Sequence, residues 1–136
     1  MDRNLQILGL AKKAGLLAVG SEDAGSAARA GKARVVISAS DSSDSALRRA
    51  RNSAEIGRTM HIIVPYSSFE LGNVSGRGSP GTVAILDLGL AARFMREMAE
   101  TEPERYGESA DKLSRSVQAQ EDKRKNTIPD KRRAKQ

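Results

Sequence analysis

The chain lacks several residue types on which common functions depend. Its 136 residues include no cysteine, no tryptophan and a single histidine, His61. The absence of cysteine excludes disulfides and thiolate metal sites. A lone histidine with no carboxylate or nucleophile beside it in the sequence does not make a general base or a metal site, so a structural role is favoured. We therefore predict a protein that is not an enzyme, with no catalytic residue, no metal and no cofactor.

Aromatic residues and long apolar runs are also scarce. The aromatic residues are Tyr66, Phe69, Phe94 and Tyr106, so the core must consist of Leu, Ile, Val and Ala side chains. No apolar run reaches the roughly 20 residues that a bilayer-spanning helix needs. The first ten residues are too polar for a secretory signal. We expect a soluble cytoplasmic protein without membrane contact.

Positive charge is concentrated near the end of the chain. Of the formal net charge of +6, residues 1–102 contribute +2 and residues 103–136 contribute +4. Seven Lys and Arg residues lie between Lys123 and Lys135. Neutralisation of phosphates releases counterions, so this distribution favours a nucleic-acid partner over a merely solubilising tail.

The hydrophobic pattern predicts alternating helices and strands in residues 1–101. Apolar runs of strand length, such as residues 33–39, indicate strands covered on both faces. We expect an α/β fold, a three-layer α/β/α sandwich with about four strands. The predicted elements are helices starting near Leu5, Glu22, Ser45, Ser67 and Leu88 and strands at 16–19, 33–39, 61–64 and 82–86. Expected helix ends are Gly15, Gly31, Gly57 and Gly72, with Asp2 as the first N-cap.

Residues 102–136 lack this hydrophobic pattern. Their few large apolar residues are Leu113, Val117 and Ile128. Such a segment buries too little area to offset its ordering entropy, so we predict a basic, disordered tail, with a short helix between residues 110 and 120 left open.

The most informative segment is the turn Gly20, Ser21, Glu22 and Asp23, which links a strand to a helix. Helix starts leave backbone N–H groups free and carry partial positive charge. Basic residues follow in the sequence as Arg29, Lys32 and Arg34. A polar turn beside basic side chains is suited to an irregular RNA.

A second glycine-rich segment, residues 76–81, formally matches the dinucleotide fingerprint G-x-G-x-x-G. That fingerprint must follow a strand and open a helix, whereas this segment precedes a strand. We therefore interpret residues 76–81 as a flexible loop that carries Arg77 towards a partner, and not as a dinucleotide-binding loop. Asp41 and Asp44 lack the spacing of a calcium loop, and helix capping explains them.

Several motifs, in order, resemble the YlxQ-like ribosomal proteins of bacteria. The motifs are LGLAKKAG at 8–15, GSEDA at 20–24, AGKARVVISASDSS at 30–43, HIIVPY at 61–66, Leu71-Gly72, and GRGSPGTVAILD at 76–87. These proteins belong to the kink-turn RNA-binding superfamily of ribosomal large-subunit proteins seven-Ae and thirty-e. The resemblance covers about residues 4–98. It implies the α/β/α sandwich predicted above.

The resemblance also implies an RNA-binding site made of two loops. The first maps to Gly20, Ser21, Glu22 and Asp23, with Arg29, Lys32 and Arg34 as phosphate contacts. The second, which packs against a flipped nucleotide, maps to Gly76, Arg77, Gly78, Ser79 and Pro80. The archetypal Asn-Glu pair is Glu22-Asp23 here, and the usual lysine three positions on is Ser26. An ionised Glu22 can only accept hydrogen bonds, whereas Asn both donates and accepts.

The predicted function is therefore that of a monomeric RNA-binding protein for kink-turn-like RNA, with the ribosome as a candidate partner. Two alternatives stay open. The chain could be a substrate-binding module for a separate RNA-modifying enzyme, or a protein-interaction module that uses the apolar helix from Leu88.

Overall fold

A computed structural model describes residues 2–76 and 78–134, and the side chains within them up to residue 125. Strands and helices alternate until the last two helices follow each other. The elements are α1 (Arg3–Lys13), β1 (Leu17–Val19), α2 (Ser21–Arg29), β2 (Val35–Ser38), α3 (Asp44–Ile56), β3 (Met60–Ile63), α4 (Ser68–Ser75), β4 (Thr82–Ile85), α5 (Leu88–Thr101) and α6 (Pro103–Ala134). No helix among these residues is long and apolar enough to cross a membrane.

The four strands form one mixed sheet with the order β1-β4-β2-β3. β2 and β3 run parallel, with Val36 opposite His61. β4 lies antiparallel to both β2 and β1, with Thr82 opposite Ser38. Because of these directions, the ends of β1 and β2 meet the start of β4 at one end of the sheet, which we call the loop end.

Helices cover both faces of the sheet, as the continuous apolar runs predicted. Side chains alternate along each strand, so Val35 and Ile37 face one layer and Val36 faces the other. The first layer contains α1, α4, α5 and the start of α6 against the larger core cluster. The second contains α2 and α3, whose contact with the sheet consists largely of alanines. The predicted three-layer α/β/α sandwich is confirmed.

Most predicted helix ends are confirmed, and Gly72 is the exception. Asp2 caps α1 by accepting a hydrogen bond from the Asn4 amide at 2.7 Å, and Gly15 and Gly31 take positive φ values of 74° and 76° after their helices. Gly72, however, lies inside α4, which ends at Gly76 with φ 73°. A Cβ atom at Gly72 would overlap the carbonyl oxygen of Gly78. Gly72 therefore permits close backbone contact and does not end the helix.

The start of the predicted tail is part of the packed domain. Tyr106, Ala110 and Leu113 of α6 are each at most 6% exposed and belong to the larger core cluster. The Tyr106 hydroxyl donates a 2.7 Å hydrogen bond to the Ile63 carbonyl of edge strand β3. The expected disorder therefore does not extend to residues 103–117. The packed core also crosses the predicted boundary at residue 101.

The packing of α6 also bears on the protein-interaction alternative. Phe94, Met95 and Met98 of α5 are at most 2% exposed, because α1 and α6 pack against this helix. The apolar face on which that alternative depended is therefore covered.

Candidate nucleic-acid interface

Segments from three parts of the chain meet at the loop end of the sheet. The Gly20 amide donates to the Thr82 carbonyl at 2.8 Å, and the Ala39 amide donates to the Gly81 carbonyl at 2.9 Å. Ser42 Oγ donates to the same Gly81 carbonyl at 3.1 Å. The predicted turn at 20–23, the segment 39–43 and the glycine-rich loop at 76–81 are thus adjacent.

The turn at 20–23 presents an accessible helix start. The N-cap residue of α2 is Gly20, with φ 98°, and it has no side chain that could cap the helix. A Cβ atom at Gly20 would have no other atom within 4 Å, so the backbone faces open space there. Glu22 and Asp23 are exposed in the first turn of α2. Their negative charge complements the helix dipole and helps to hold the turn in place.

A groove of about 470 Å³ runs from this turn between α2 and α3. Arg29 lies along it, and its Nη1 atom donates a 2.9 Å hydrogen bond to Ser53 Oγ. Gly25 leaves room for this guanidinium, because a Cβ there would lie 3.1 Å from Arg29 Nη1. Glu22 lines the same groove. A fixed cation and an exposed carboxylate therefore share one concave surface.

Arg49 and Asn52 of α3 also line this groove, although sequence reasoning did not select them. Both side chains belong to exposed residues. The available signal was their helical spacing from the small buried residues Ala50 and Ser53, which indicated the packed side of α3. The spacing did not reveal that α2 packs against that side, so that Arg49 and Arg29 line the same groove.

Lys32 and Arg34 lie away from this groove. Arg34 immediately precedes β2, and its amide donates to the Ile85 carbonyl at 2.8 Å, at the opposite end of the sheet. It lines a separate depression of about 160 Å³ with Arg58 and Lys112. Of the three predicted phosphate contacts, only Arg29 shares a surface with the turn.

The second predicted loop is held against α4. Gly76 ends that helix and Gly78 has φ 40°. The Gly78 carbonyl occupies the space that a side chain at Gly72 would need, and Pro80 Cδ would lie 3.4 Å from a Cβ atom there. Gly76, Gly78 and Ser79 are exposed and Pro80 is partly exposed. Arg77 lies outside the described residues.

Two further polar residues singled out in the sequence, His61 and Asp41, form hydrogen bonds within the fold. His61 Nε2 lies 2.8 Å from Ser38 Oγ, and burial, followed by the nearby Arg51 charge, lowers the pKa of His61. Asp41 accepts from the Ser68 amide at 2.9 Å and from Ser68 Oγ at 3.0 Å. These bonds lower the pKa of Asp41.

Helix capping was expected to explain Asp41 and Asp44, and the hydrogen bonds of Asp41 are made to a helix distant in sequence. Asp41 holds the start of α4, a neighbouring helix, whereas Ser43 is the N-cap of α3 and Asp44 its first residue. Within residues 2–76 and 78–134, no cluster of three or more His, Asp and Glu residues could hold a metal ion.

The fold is shared with solved structures of other proteins. A protein of unknown function from Bacillus halodurans C superposes with a TM-score of 0.65 at 22% identity, covering 71% of this chain and 97% of its own. A 15.5 kD RNA-binding protein from Giardia lamblia superposes with a TM-score of 0.56 at 18% identity, covering 73% of this chain and 84% of its own. No family model and no curated protein matches the sequence. At these identities the likeness establishes the fold.

Proposed function

We propose that this chain is a non-enzymatic RNA-binding protein that recognises kink-turn-like RNA through the loop end of its sheet. The observation that carries the proposal is the convergence of the turn at 20–23, the groove beside it and the glycine-rich loop at 76–81. The Giardia protein, which has the same fold, is an RNA-binding protein. The net charge of +6 also favours a polyanionic partner.

The groove separates the two kinds of contact that RNA recognition needs. Arg29 and Arg49 provide cations for phosphates, which position the RNA without reading its sequence. Glu22 provides only acceptors, so it fits the N–H groups of a guanine edge. Because phosphates are repelled by Glu22 and Asp23, the backbone of the RNA should lie on the arginine side of the groove.

Kinked RNA fits this surface better than a continuous duplex does. Duplex RNA hides its base edges in a deep, narrow major groove, whereas bulges and kinks expose them. Such elements abound in structured RNA, and we propose association of a monomer with ribosomal or other structured RNA in the cytoplasm.

The test compares the full chain on a kink-turn RNA and on a continuous RNA duplex of equal length, in a salt series. With about four to six phosphate contacts, the slope of log K against log salt should lie between about −3 and −5. The Glu22→Gln/Asp23→Asn double variant should lose preference for the kinked RNA while it keeps the salt slope. Asp111→Asn, which removes an exposed carboxylate from α6, is the matched control. Equal affinity of the unaltered protein for both RNAs would contradict kink recognition, and no binding at low salt would contradict the function.

A further inference from the structure

Phe69 is an aromatic residue that the core does not use. Its exposed fraction is 66%, whereas those of Phe94, Tyr66 and Tyr106 are 0%, 8% and 2%. Leu10 and Ile56 are also exposed, and single apolar residues on a surface are common. Phe69 differs from both because it has a planar ring, a backbone fixed by side-chain hydrogen bonds and a position beside the glycine-rich loop.

Both chain neighbours of Phe69 are fixed by side-chain hydrogen bonds. Ser67 and Glu70 form a capping box, with distances of 3.0 Å and 3.1 Å between each side chain and the other residue's amide. Asp41 accepts both the amide and the hydroxyl hydrogen of Ser68. The first turn of α4 is therefore held from two directions, which reduces the backbone entropy that a ligand contact at Phe69 would cost.

Helical geometry places Phe69 on the side of α4 that carries Gly72, next to the glycine-rich loop. Residues three positions apart on a helix lie on the same side, with Cβ atoms about 5–6 Å apart. Gly72 is three positions after Phe69, and the Gly78 carbonyl and the Pro80 ring cover Gly72. Asp41, which fixes Ser68, lies one residue from Ser42, whose hydroxyl bonds the Gly81 carbonyl. Phe69 thus borders the surface formed by the loops at 39–43 and 76–81.

An exposed, fixed phenyl ring is suited to stacking against a nucleobase. Unstacked bases of loops and bulges are commonly bound by aromatic side chains. Removal of one such contact costs about 1–3 kcal/mol per base. We propose that Phe69 is a stacking platform for one unpaired nucleobase of the RNA that the adjacent loops bind. The inference rests on the proposed function and adds a binding residue outside the turn at 20–23.

The absence of tryptophan allows a direct test of stacking. In a Phe69→Trp variant the indole at position 69 is the only one, and a base stacked on it quenches its fluorescence. Titration with a kink-turn RNA should quench this emission at saturation, whereas a blunt duplex of equal length should leave it nearly unchanged. A Leu10→Trp variant places the indole at another exposed apolar position, on α1, and should not be quenched by either RNA. Equal quenching of both variants by the kink-turn RNA would overturn the proposal.

Affinity measurements separate stacking from a simple apolar contact. Phe69→Ala should weaken kink-turn binding about 5- to 150-fold, the equivalent of about 1–3 kcal/mol. Phe69→Leu should weaken it nearly as much, because leucine keeps apolar area but has no π face. Leu10→Ala should bind like the unaltered protein. Thermal unfolding of each variant checks that the fold is retained.

The outcomes distinguish this proposal from the proposed function. If the unaltered protein binds the kink-turn RNA but Phe69→Ala binds equally well, the stacking platform is refuted and RNA binding stands. Unchanged kink-turn affinity of the Phe69→Leu variant would likewise refute stacking. If the unaltered protein binds no RNA, both are refuted. Loss of binding to a protein partner with RNA affinity unchanged would assign Phe69 to a protein interface and overturn the proposal.

Discussion

Two truncations test whether the start of α6 belongs to the domain. The first ends the chain after residue 102 and removes all of α6. The second ends it after residue 120, which retains Tyr106, Ala110, Leu113 and Val117 but removes the seven basic residues between Lys123 and Lys135. The pair separates packing from charge.

The structure predicts a large stability loss for the shorter chain only. Removal of a buried leucine or aromatic side chain costs about 2–5 kcal/mol, and Tyr106 and Leu113 are 2% and 5% exposed. The Tyr106–Ile63 hydrogen bond contributes about 1 kcal/mol more. Part of this sum is offset by the chain entropy that α6 regains. We expect a net loss of at least about 3 kcal/mol, a large share of the roughly 5–15 kcal/mol typical of a domain.

Thermal and urea unfolding measure this loss directly. The chain ending at residue 102 should melt roughly 6 °C or more below the full chain, given about 2–8 °C per kcal/mol for domains of this size range. The chain ending at residue 120 should melt close to the full chain, yet show a shallower salt dependence of RNA binding because it lacks the seven cations. Equal melting temperatures for all three chains would refute the packing of α6.

Three further predictions concern single residues. Gly72→Ala should destabilise the fold by several kcal/mol or displace the glycine-rich loop, because the new methyl group overlaps a loop carbonyl. Calorimetry and RNA affinity would reveal either effect, and unchanged values would contradict the close contact between Gly72 and the Gly78 carbonyl. Arg49→Gln should weaken RNA binding by several-fold and reduce the salt slope by about 1, whereas Lys32→Gln, at the other end of the sheet, should change both less. A larger effect of Lys32→Gln than of Arg49→Gln would exclude the groove as the RNA-binding surface. Burial lowers the pKa of His61 below the usual 6.5. The unfolded chain therefore binds the proton more readily, and stability should fall as the pH drops below about 6.5. In urea unfolding, His61→Gln should reduce this loss between pH 7.5 and 5.5, and an unchanged pH dependence would assign the loss to other groups.

The elements that sequence reasoning predicted correctly depend on local chemistry. The run Val35 to Ser38 is buried on both faces, which a continuous apolar segment indicates without knowledge of its neighbours. Asp2 caps α1 with its own side chain, and Gly15 follows the helix with a positive φ. Such features are encoded within a few residues, so the layered fold could be predicted from them.

The features that were missed depend on contacts between distant segments. Tyr106 looks like an isolated aromatic residue in a polar sequence, and only the packing of α6 on α5 and the edge of β3 shows its role. Arg49 joins the groove because α2 packs against α3. Arg34 is close to Arg29 in sequence but lies at the opposite end of the sheet, because α2 carries the chain away from the loop end before β2 begins. The composition of the site could be predicted only in part for this reason.

The central claim is that RNA binds at the loop end of the sheet. Amide chemical-shift mapping tests this directly in the full chain of 14.6 kDa during titration with the kink-turn RNA. The account predicts the largest changes at residues 20–25, 39–43 and 76–81, with little change around Lys32 and Arg34. Changes centred on those two residues, or confined to α6, would contradict it.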